Sequence, residues 1–218
     1  MKSKLFMFLL FLICLFSYGL VNALSLPLFG KVIYIDPGHG GKDPGAIAGN
    51  IYESTINLEI SFKLQELLEK NGAIVYMTRY GDYDLSANNT SLRKRSDLSR
   101  RVNIINESNA DMYISIHLNA DASTTWKGAQ IFYSDINGEN KVLGNILQNQ
   151  LKDDLNTNRS LKKLTNQYMY KRIKVKGVLA EVGFITNPNE RYLLKQQQYQ
   201  YKIANSLCNG IINYFTKV

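Results

Sequence analysis

The sequence predicts a single α/β domain with a twisted, mostly parallel sheet and helices on both faces. Short runs of β-branched and aromatic residues, such as Val32–Ile35 and Ala73–Met77, alternate with longer segments whose apolar residues recur at helical spacing. A strand, a helix and a second strand in that order favour a parallel pair. The 218 residues suffice for one sizeable core and leave no room for a second domain of ordinary size.

The first residues resemble an export signal. Met-Lys-Ser-Lys precedes an apolar run from Leu5 to about Leu20, and Val21–Ala23 then supplies small residues at the cleavage-site spacing. This order predicts a signal peptide over residues 1–23. The alternative is an uncleaved anchor, because the apolar run is nearly long enough to span a bilayer. We therefore expect export across the cytoplasmic membrane, with membrane contact only through this segment if it is retained.

The cysteine content and the net charge limit which disulfides and which binding partners the exported part of the chain can have. Cys14 lies in the apolar run, so Cys208 is the only cysteine that remains and no internal disulfide can form. Removing Lys2 and Lys4 from the 26 basic residues leaves 24 against 18 acidic ones, a formal charge of +6. That excess suits an anionic surface such as a cell-wall polymer. Nucleic acid is a poor fit, because the basic residues are scattered.

Helical spacing and turn residues define the elements of the first half. Ile56, Ile60 and Leu64 share one helix face, and Asn71-Gly72 ends that helix. Residues 80–91 are polar and rich in turn formers, so we expect a surface insertion there. The predicted elements are a strand at 32–35, a helix at 54–70, a strand at 73–77, a helix marked by Leu98, Val102 and Ile105, and a strand at 111–116.

The second half follows the same logic. Leucines at steps of four predict a helix at 143–155, and Asn187-Pro188 is typical of a helix start, with an N-cap before proline. The basic residues of 92–95 and 100–101 fit a solvated helix face, which meets either substrate or a partner. The other predicted elements are strands at 128–133 and 178–182, a short edge strand at 168–175 and a last helix at 203–215.

A glycine-rich loop follows the first strand and carries His39. A phosphate-binding loop would need glycine at position 36 and serine or threonine at position 43, and both are aspartate. A dinucleotide loop would need glycine at position 43. Two interpretations stay open from the loop alone, namely a metal site built around His39 and a tight turn with an incidental histidine.

The two histidines of the chain point to the metal site. His39 and His117 each follow a predicted parallel strand, so both lie at the carboxyl edge of the sheet, where ligands collect in open α/β folds. Glu53, at the start of the following helix, can supply a third ligand, although a carboxylate there is also favoured by the helix dipole alone. Such a set leaves zinc an open position and lowers the pKa of water, as in catalytic zinc sites.

Glu181 interrupts an otherwise apolar strand, which runs from Val178 to Ile185. An unpaired carboxylate in a buried strand costs several kcal/mol and therefore needs a partner or a function. One interpretation is a buried salt bridge with Arg79 or Lys176. The other is a general base that takes a proton from water and passes it to a leaving nitrogen.

Three blocks of sequence resemble a known family. Residues Ile35–Gly41, Ser115–Ala120 and Ala180–Asn187 together resemble the zinc-dependent N-acetylmuramoyl-L-alanine amidases of the AmiC/autolysin type. The resemblance runs from about Lys31 to Tyr214 and implies an amidase catalytic domain over residues 31–215. It implies hydrolysis of the amide between the lactyl group of N-acetylmuramic acid and L-alanine of the stem peptide in peptidoglycan.

The resemblance also implies roles for single residues. His39, Glu53 and His117 would be the zinc ligands, and Glu181 would be the catalytic glutamate. Residues 91–101 and 123–130 are similar to the germination-specific amidases of spore formers, which implies a role in spore cortex maturation toward muramic-δ-lactam and in germination. An accessory spore-envelope protein is a candidate partner.

Two rival functions share parts of this pattern. A zinc carboxypeptidase acting within the stem peptide would use the same metal chemistry. A non-catalytic wall-binding module would keep the fold, but it would not need the carboxylate of Glu181 on a buried strand.

Overall fold

A six-stranded sheet forms the centre of the computed structural model, which describes residues 2–24, 26–87 and 91–217. The strands are β1 (Val32–Pro37), β2 (Ile47–Ala48), β3 (Ile51–Tyr52), β4 (Ile74–Met77), β5 (Met112–Asn119), β6 (Gln130–Tyr133), β7 (Lys162–Lys163) and β8 (Gly177–Phe184). The helices are α1 (Lys2–Leu24), α2 (Glu53–Lys70), α3 (Arg93–Glu107), α4 (Glu139–Leu155), α5 (Pro188–Leu194) and α6 (Gln197–Lys217).

The order of the strands in the sheet is β4-β1-β5-β8-β6-β7, and β2 pairs with β3 in a separate hairpin. The first four strands of that order are parallel, β6 is antiparallel to β8, and β7 is parallel to β6. The predicted mostly parallel sheet is therefore confirmed. Strand β8, late in the chain, lies inside the sheet between β5 and β6.

The two faces of the sheet are covered unequally. Met112, Ile114 and Ile116 of β5 face a large core closed by α2, α4 and α6. Tyr113, which points the other way, joins a smaller core with Val102 of α3. This alternation confirms helices on both faces, as predicted for strands buried on both sides.

Alternation also decides where the polar residues of the strands lie. Asp36 follows Tyr34 on β1, and Ser115 and His117 follow Tyr113 on β5, all on the side of α3. Glu181 follows Leu179 on β8 and shares that side. The carboxyl ends of the central strands therefore carry polar groups on the less covered face.

The predicted edge strand at 168–175 is wrong. The sheet instead ends at β7, and residues 168–175 form turns. Met169, Tyr170 and Ile173 are buried in the smaller core. The apolar side chains of this segment therefore pack on the face of the sheet, and its backbone does not pair at the edge. Other predicted elements occur with shifted ends, and Asn187 caps α5 by accepting from the N–H groups of Asn189 and Glu190.

The first helix covers the predicted export segment. Helix α1 spans Lys2–Leu24, and the side chains of residues 4–17 are exposed. Within the described ranges, we find no helix with the length and apolar character that crossing a membrane requires. Cleavage after residue 23 stays a prediction.

The basic run in α3 is not uniformly solvated, which corrects the expectation for Arg101. Its side chain is fully buried and donates to Asp36 Oδ1 at 2.8 Å and to Asp97 Oδ2 at 2.9 Å. Burial raises the pKa of Asp36, but Arg101 together with hydrogen bonds from Ser115 and Thr78 holds it below its usual range.

Replacing Arg101 with methionine should destabilise the fold by about 3–5 kcal/mol, because the carboxylate of Asp36 would remain buried without its cation. Urea unfolding followed by circular dichroism measures the change. Arg100→Met is the matched control, since Arg100 is exposed on the same helix, and it should shift stability by no more than about 0.5 kcal/mol. Equal losses in both variants would contradict a structural role for this ion pair.

Candidate metal centre

The glycine loop after β1 brings His39 against His117. His39 has a φ of 61°, in the left-handed region, and the two imidazole rings lie 4.8 Å apart at 74°. A Cβ at Gly38 would come within 2.2 Å of His117 Cε1, so only glycine allows this approach. Gly38 therefore allows the two histidines to meet, which favours the metal-site interpretation over an incidental turn.

Glu53 completes a three-residue cluster. Its Oε1 atom lies 3.2 Å from His39 Nε2 and 3.0 Å from His117 Nδ1. The possible ligand atoms of the three residues all lie within 4.8 Å of one another. The structure thus brings together the three predicted ligands from a loop, a helix start and a strand end.

The donor set fits zinc. Two imidazole nitrogens and one carboxylate oxygen are the ligands of many catalytic zinc sites, in which the fourth position stays open. Both histidines are part-exposed and Glu53 is buried, so the cluster is fixed on one side and reachable on the other. That these residues bind the ion remains a prediction.

The charges within the cluster support one another. Burial raises the pKa of Glu53, but hydrogen bonds and charge from His117 and His39 outweigh it and hold the pKa well below its usual range. Burial lowers the pKa of His39, whereas Asp43 and Glu53 raise it, to about 9 in total. The carboxylate of Glu53 therefore stays ionised and can accept a cation.

Sequence reasoning missed several groups that orient the cluster. Asp43 Oδ2 lies 3.0 Å from His39 Nδ1, the ring nitrogen that does not face Glu53. Glu53 also accepts from the N–H of Leu118 at 3.0 Å and of Ala46 at 2.9 Å. A carboxylate beside a ligand histidine fixes its tautomer and orientation. The spacing His39-x-x-x-Asp43 within the loop was the signal that could have identified Asp43.

Two buried arginines hold the loop by its backbone. Arg79 donates to the carbonyls of Pro37 and Gly38, both at 2.9 Å, and to that of Ser54 at 2.7 Å. Arg101 donates to the carbonyl of Pro37 at 2.8 Å and to that of His39 at 2.7 Å. Three consecutive loop carbonyls and the residue after Glu53 are thereby fixed to one another.

Glu181 lies next to the cluster on the neighbouring strand. It pairs with His117 in the register of β5 and β8, and its Oε2 atom is buried without a hydrogen-bond partner in the described part of the chain. The salt-bridge interpretation is wrong, because Arg79 binds backbone carbonyls and Lys176 lies over Tyr214. Burial raises the pKa of Glu181 to about 7.

A cleft of about 360 Å³, here called the metal cleft, opens over these residues. His39, His117 and Glu181 form its floor, and one wall combines Lys94 of α3 with the turn at Gln167–Tyr170. The basic helix therefore contributes both Lys94 and Arg101 to the lining of the cleft, and the buried Arg101 also donates to the carbonyl of His39 in the loop.

A three-residue donor cluster beside a buried glutamate, at the carboxyl edge of an α/β sheet, is an arrangement typical of metal-dependent hydrolases. The family model for N-acetylmuramoyl-L-alanine amidase, Amidase_3, matches residues 33–213. The chain belongs to this amidase family.

Similar proteins and solved structures support this family assignment. The chain is 44% identical, over 94% of its length and 91% of the relative, to the germination-specific N-acetylmuramoyl-L-alanine amidase of Bacillus subtilis. It resembles the solved CwlD amidase of Clostridioides difficile, in complex with the GerS lipoprotein, with a TM-score of 0.83 and 38% identity, covering 87% of this chain and 100% of that one. The catalytic domain of CwlV from Bacillus (Paenibacillus) polymyxa matches with a TM-score of 0.75 and 27% identity, covering 85% and 98%.

Zinc should raise the melting temperature of the protein, because a ligand that binds only the folded state stabilises it. At about 1,000 times its Kd the gain is about 4 kcal/mol, or about 10 °C. Glu53→Gln should lose most of this shift together with bound zinc. We would measure both by calorimetry and elemental mass spectrometry.

Glu66→Gln is the matched control for the zinc experiment, since Glu66 is exposed on the same helix and outside the cluster. It should keep the full shift. A zinc-dependent shift of the same size in Glu53→Gln would remove Glu53 from the ligand set.

Proposed function

We propose that the chain is a zinc-dependent amidase that cleaves the bond between the lactyl carbonyl of N-acetylmuramic acid and L-alanine of the stem peptide. His39, Glu53 and His117 would hold the metal, and Glu181 would be the general base. The observation that carries the proposal is the position of Glu181, which lines the same cleft as the histidines and whose buried Oε2 has no hydrogen-bond partner among the described residues. A purely structural carboxylate would be paired.

The residues of the cleft divide the chemistry between them. When bound, zinc supplies a Lewis acid that polarises the amide carbonyl and acidifies water. Glu181 takes the proton of the attacking water and delivers it to the nitrogen of L-alanine, so that the peptide leaves as a free amine. Asp43 and the two buried arginines keep His39 oriented during these steps.

The biological setting follows from the relatives and the first residues. We propose that residues 1–23 direct export and that the domain acts in the cell wall or in the spore cortex, on the path to muramic-δ-lactam and germination. The identity to a germination-specific amidase supports the cortex. The solved relative in complex with a lipoprotein supports an accessory envelope protein as partner.

Incubating the protein with peptidoglycan and zinc should release peptides whose new amino terminus is L-alanine, as identified by mass spectrometry. Chelation should abolish the release. Glu181→Gln should keep zinc but lose at least about a hundredfold in rate, the contribution of a general acid–base. Glu66→Gln is again the control and should keep the parent rate, because Glu66 is exposed on α2 and does not line the metal cleft.

Each alternative outcome has a clear meaning. New termini inside the stem peptide would establish a carboxypeptidase instead. Full activity in Glu181→Gln would remove Glu181 from the mechanism. If the protein binds zinc and the cell wall but releases no peptide, the non-catalytic wall-binding module would be the remaining interpretation of its function.

A further inference from the structure

A second hollow region lies beside the metal cleft. Two adjoining cavities, of about 960 Å³ and 430 Å³, share Trp126, Gln130, Arg159 and Lys162, and together they form what we call the side groove. The smaller cavity also includes Asn119, which lies two residues beyond His117 on β5. Gln130 pairs with Glu181 in the register of β6 and β8. Residues of the side groove therefore lie next to residues of the metal cleft on the same strand or on the neighbouring strand.

Arg159 is held between two aromatic rings in this groove. Its guanidinium carbon lies 4.9 Å from the ring centre of Trp126 and 4.8 Å from that of Phe184. Nε donates to the carbonyl of Lys127 at 3.0 Å. Stacking and this one hydrogen bond hold the guanidinium at its faces and at one edge, and leave the Nη groups for a planar acceptor.

The segment around Arg159 is anchored to the sheet. Thr157 Oγ1 donates to the carbonyl of Ala129 at 3.0 Å, and Gln130 Nε2 donates to the carbonyl of Ser160 at 2.8 Å. Gly128, with a φ of 97°, has no Cβ, which would otherwise lie 2.4 Å from Thr157 Oγ1. The residues on either side of Arg159 are thereby fixed, so the guanidinium is preorganised.

The Nη2 group of Arg159 lacks a partner. It is buried and finds no hydrogen-bond acceptor in the described parts of the chain. The acids that line the groove are already engaged, since Glu190 accepts from the N–H groups of Gly128 and Phe184 and Asp121 accepts from that of Ser123. A buried donor without an acceptor costs about 1–3 kcal/mol, which a ligand can recover.

We propose that Arg159, with Lys127 and Lys162 beside it, binds a free carboxylate of the stem peptide in the side groove. This proposal rests on the proposed function. The glycan is uncharged once its lactyl group is in the scissile amide, whereas the peptide carries carboxylates, so the cationic groove fits the peptide side of that bond. Trp126 is half-exposed on a loop, and in this proposal its ring would turn aside so that the ligand reaches Nη2.

Trp126 is the only tryptophan of the chain, so its fluorescence reports on this groove. We would titrate the intact protein with the stem tripeptide L-alanyl-D-glutamyl-diaminopimelate and with the same peptide bearing carboxamides in place of carboxylates. The acid form should change the emission with saturation, and the amide form should bind at least about tenfold more weakly. Arg159→Gln should weaken binding of the acid form at least about tenfold.

Lys163→Gln is the matched control, because Lys163 carries the same charge next to Lys162, pairs with Asp135 and does not line the groove. It should bind like the parent protein. Equal binding of acid and amide forms, or full binding by Arg159→Gln, would overturn the proposal. If Arg159→Gln does not fold, by circular dichroism, the acid and amide titrations of the parent protein decide.

Neither peptide has the scissile bond, so this test does not depend on hydrolysis. Binding that needs both the carboxylates and Arg159, in a protein that releases no peptide from peptidoglycan, would leave the side groove in place and remove only the amidase function. Peptide release with L-alanine termini and no such binding would do the reverse.

Discussion

The conformation of the loop that carries His39 depends on two buried arginines, whose guanidinium groups donate to backbone carbonyls and not to water. Arg79 and Arg101 are fully buried, and the free energy of removing their charges from water is offset by hydrogen bonds to the carbonyls of Pro37, Gly38 and His39. Because the acceptors are main-chain carbonyls, these hydrogen bonds fix the backbone path of the loop whatever side chains the loop carries. A left-handed histidine costs conformational energy, and this brace holds it there.

The second constraint is the pleat of the sheet. Alternation along β5 and β8 places His117 and Glu181 side by side on the face opposite the large core. Their neighbours Ile116, Ala180 and Val182 hold the strands in register by packing on the other side, since a shift of one residue would reverse both faces. The reactive groups are thus positioned by the apolar residues between them.

The sequence was sufficient for the parts of the site that follow from strand ends. His39, His117 and Glu181 were visible because a polar residue in or after an apolar strand needs an explanation, and Glu53 because it begins the next helix. Arg101 was not visible, since its burial depends on Asp36 from a distant strand, and in α3 alone it looks like any basic residue beside Val102. Residues 168–175 were misread because aromatic and aliphatic residues interspersed with lysine and arginine do not say whether a segment pairs at a sheet edge or packs on a sheet face.

The order of the strands has a consequence for folding kinetics. Strand β8 lies between β5 and β6, although many residues separate it from β5 in the chain, so the centre of the sheet is built from pairings of high contact order. During synthesis, β1, α2 and β5 can associate before β8 exists, whereas Glu181 reaches its place only when β8 inserts. A nascent chain can therefore bring its histidines and Glu53 together before Glu181 joins them, and the full set of cleft residues is assembled only in the finished fold.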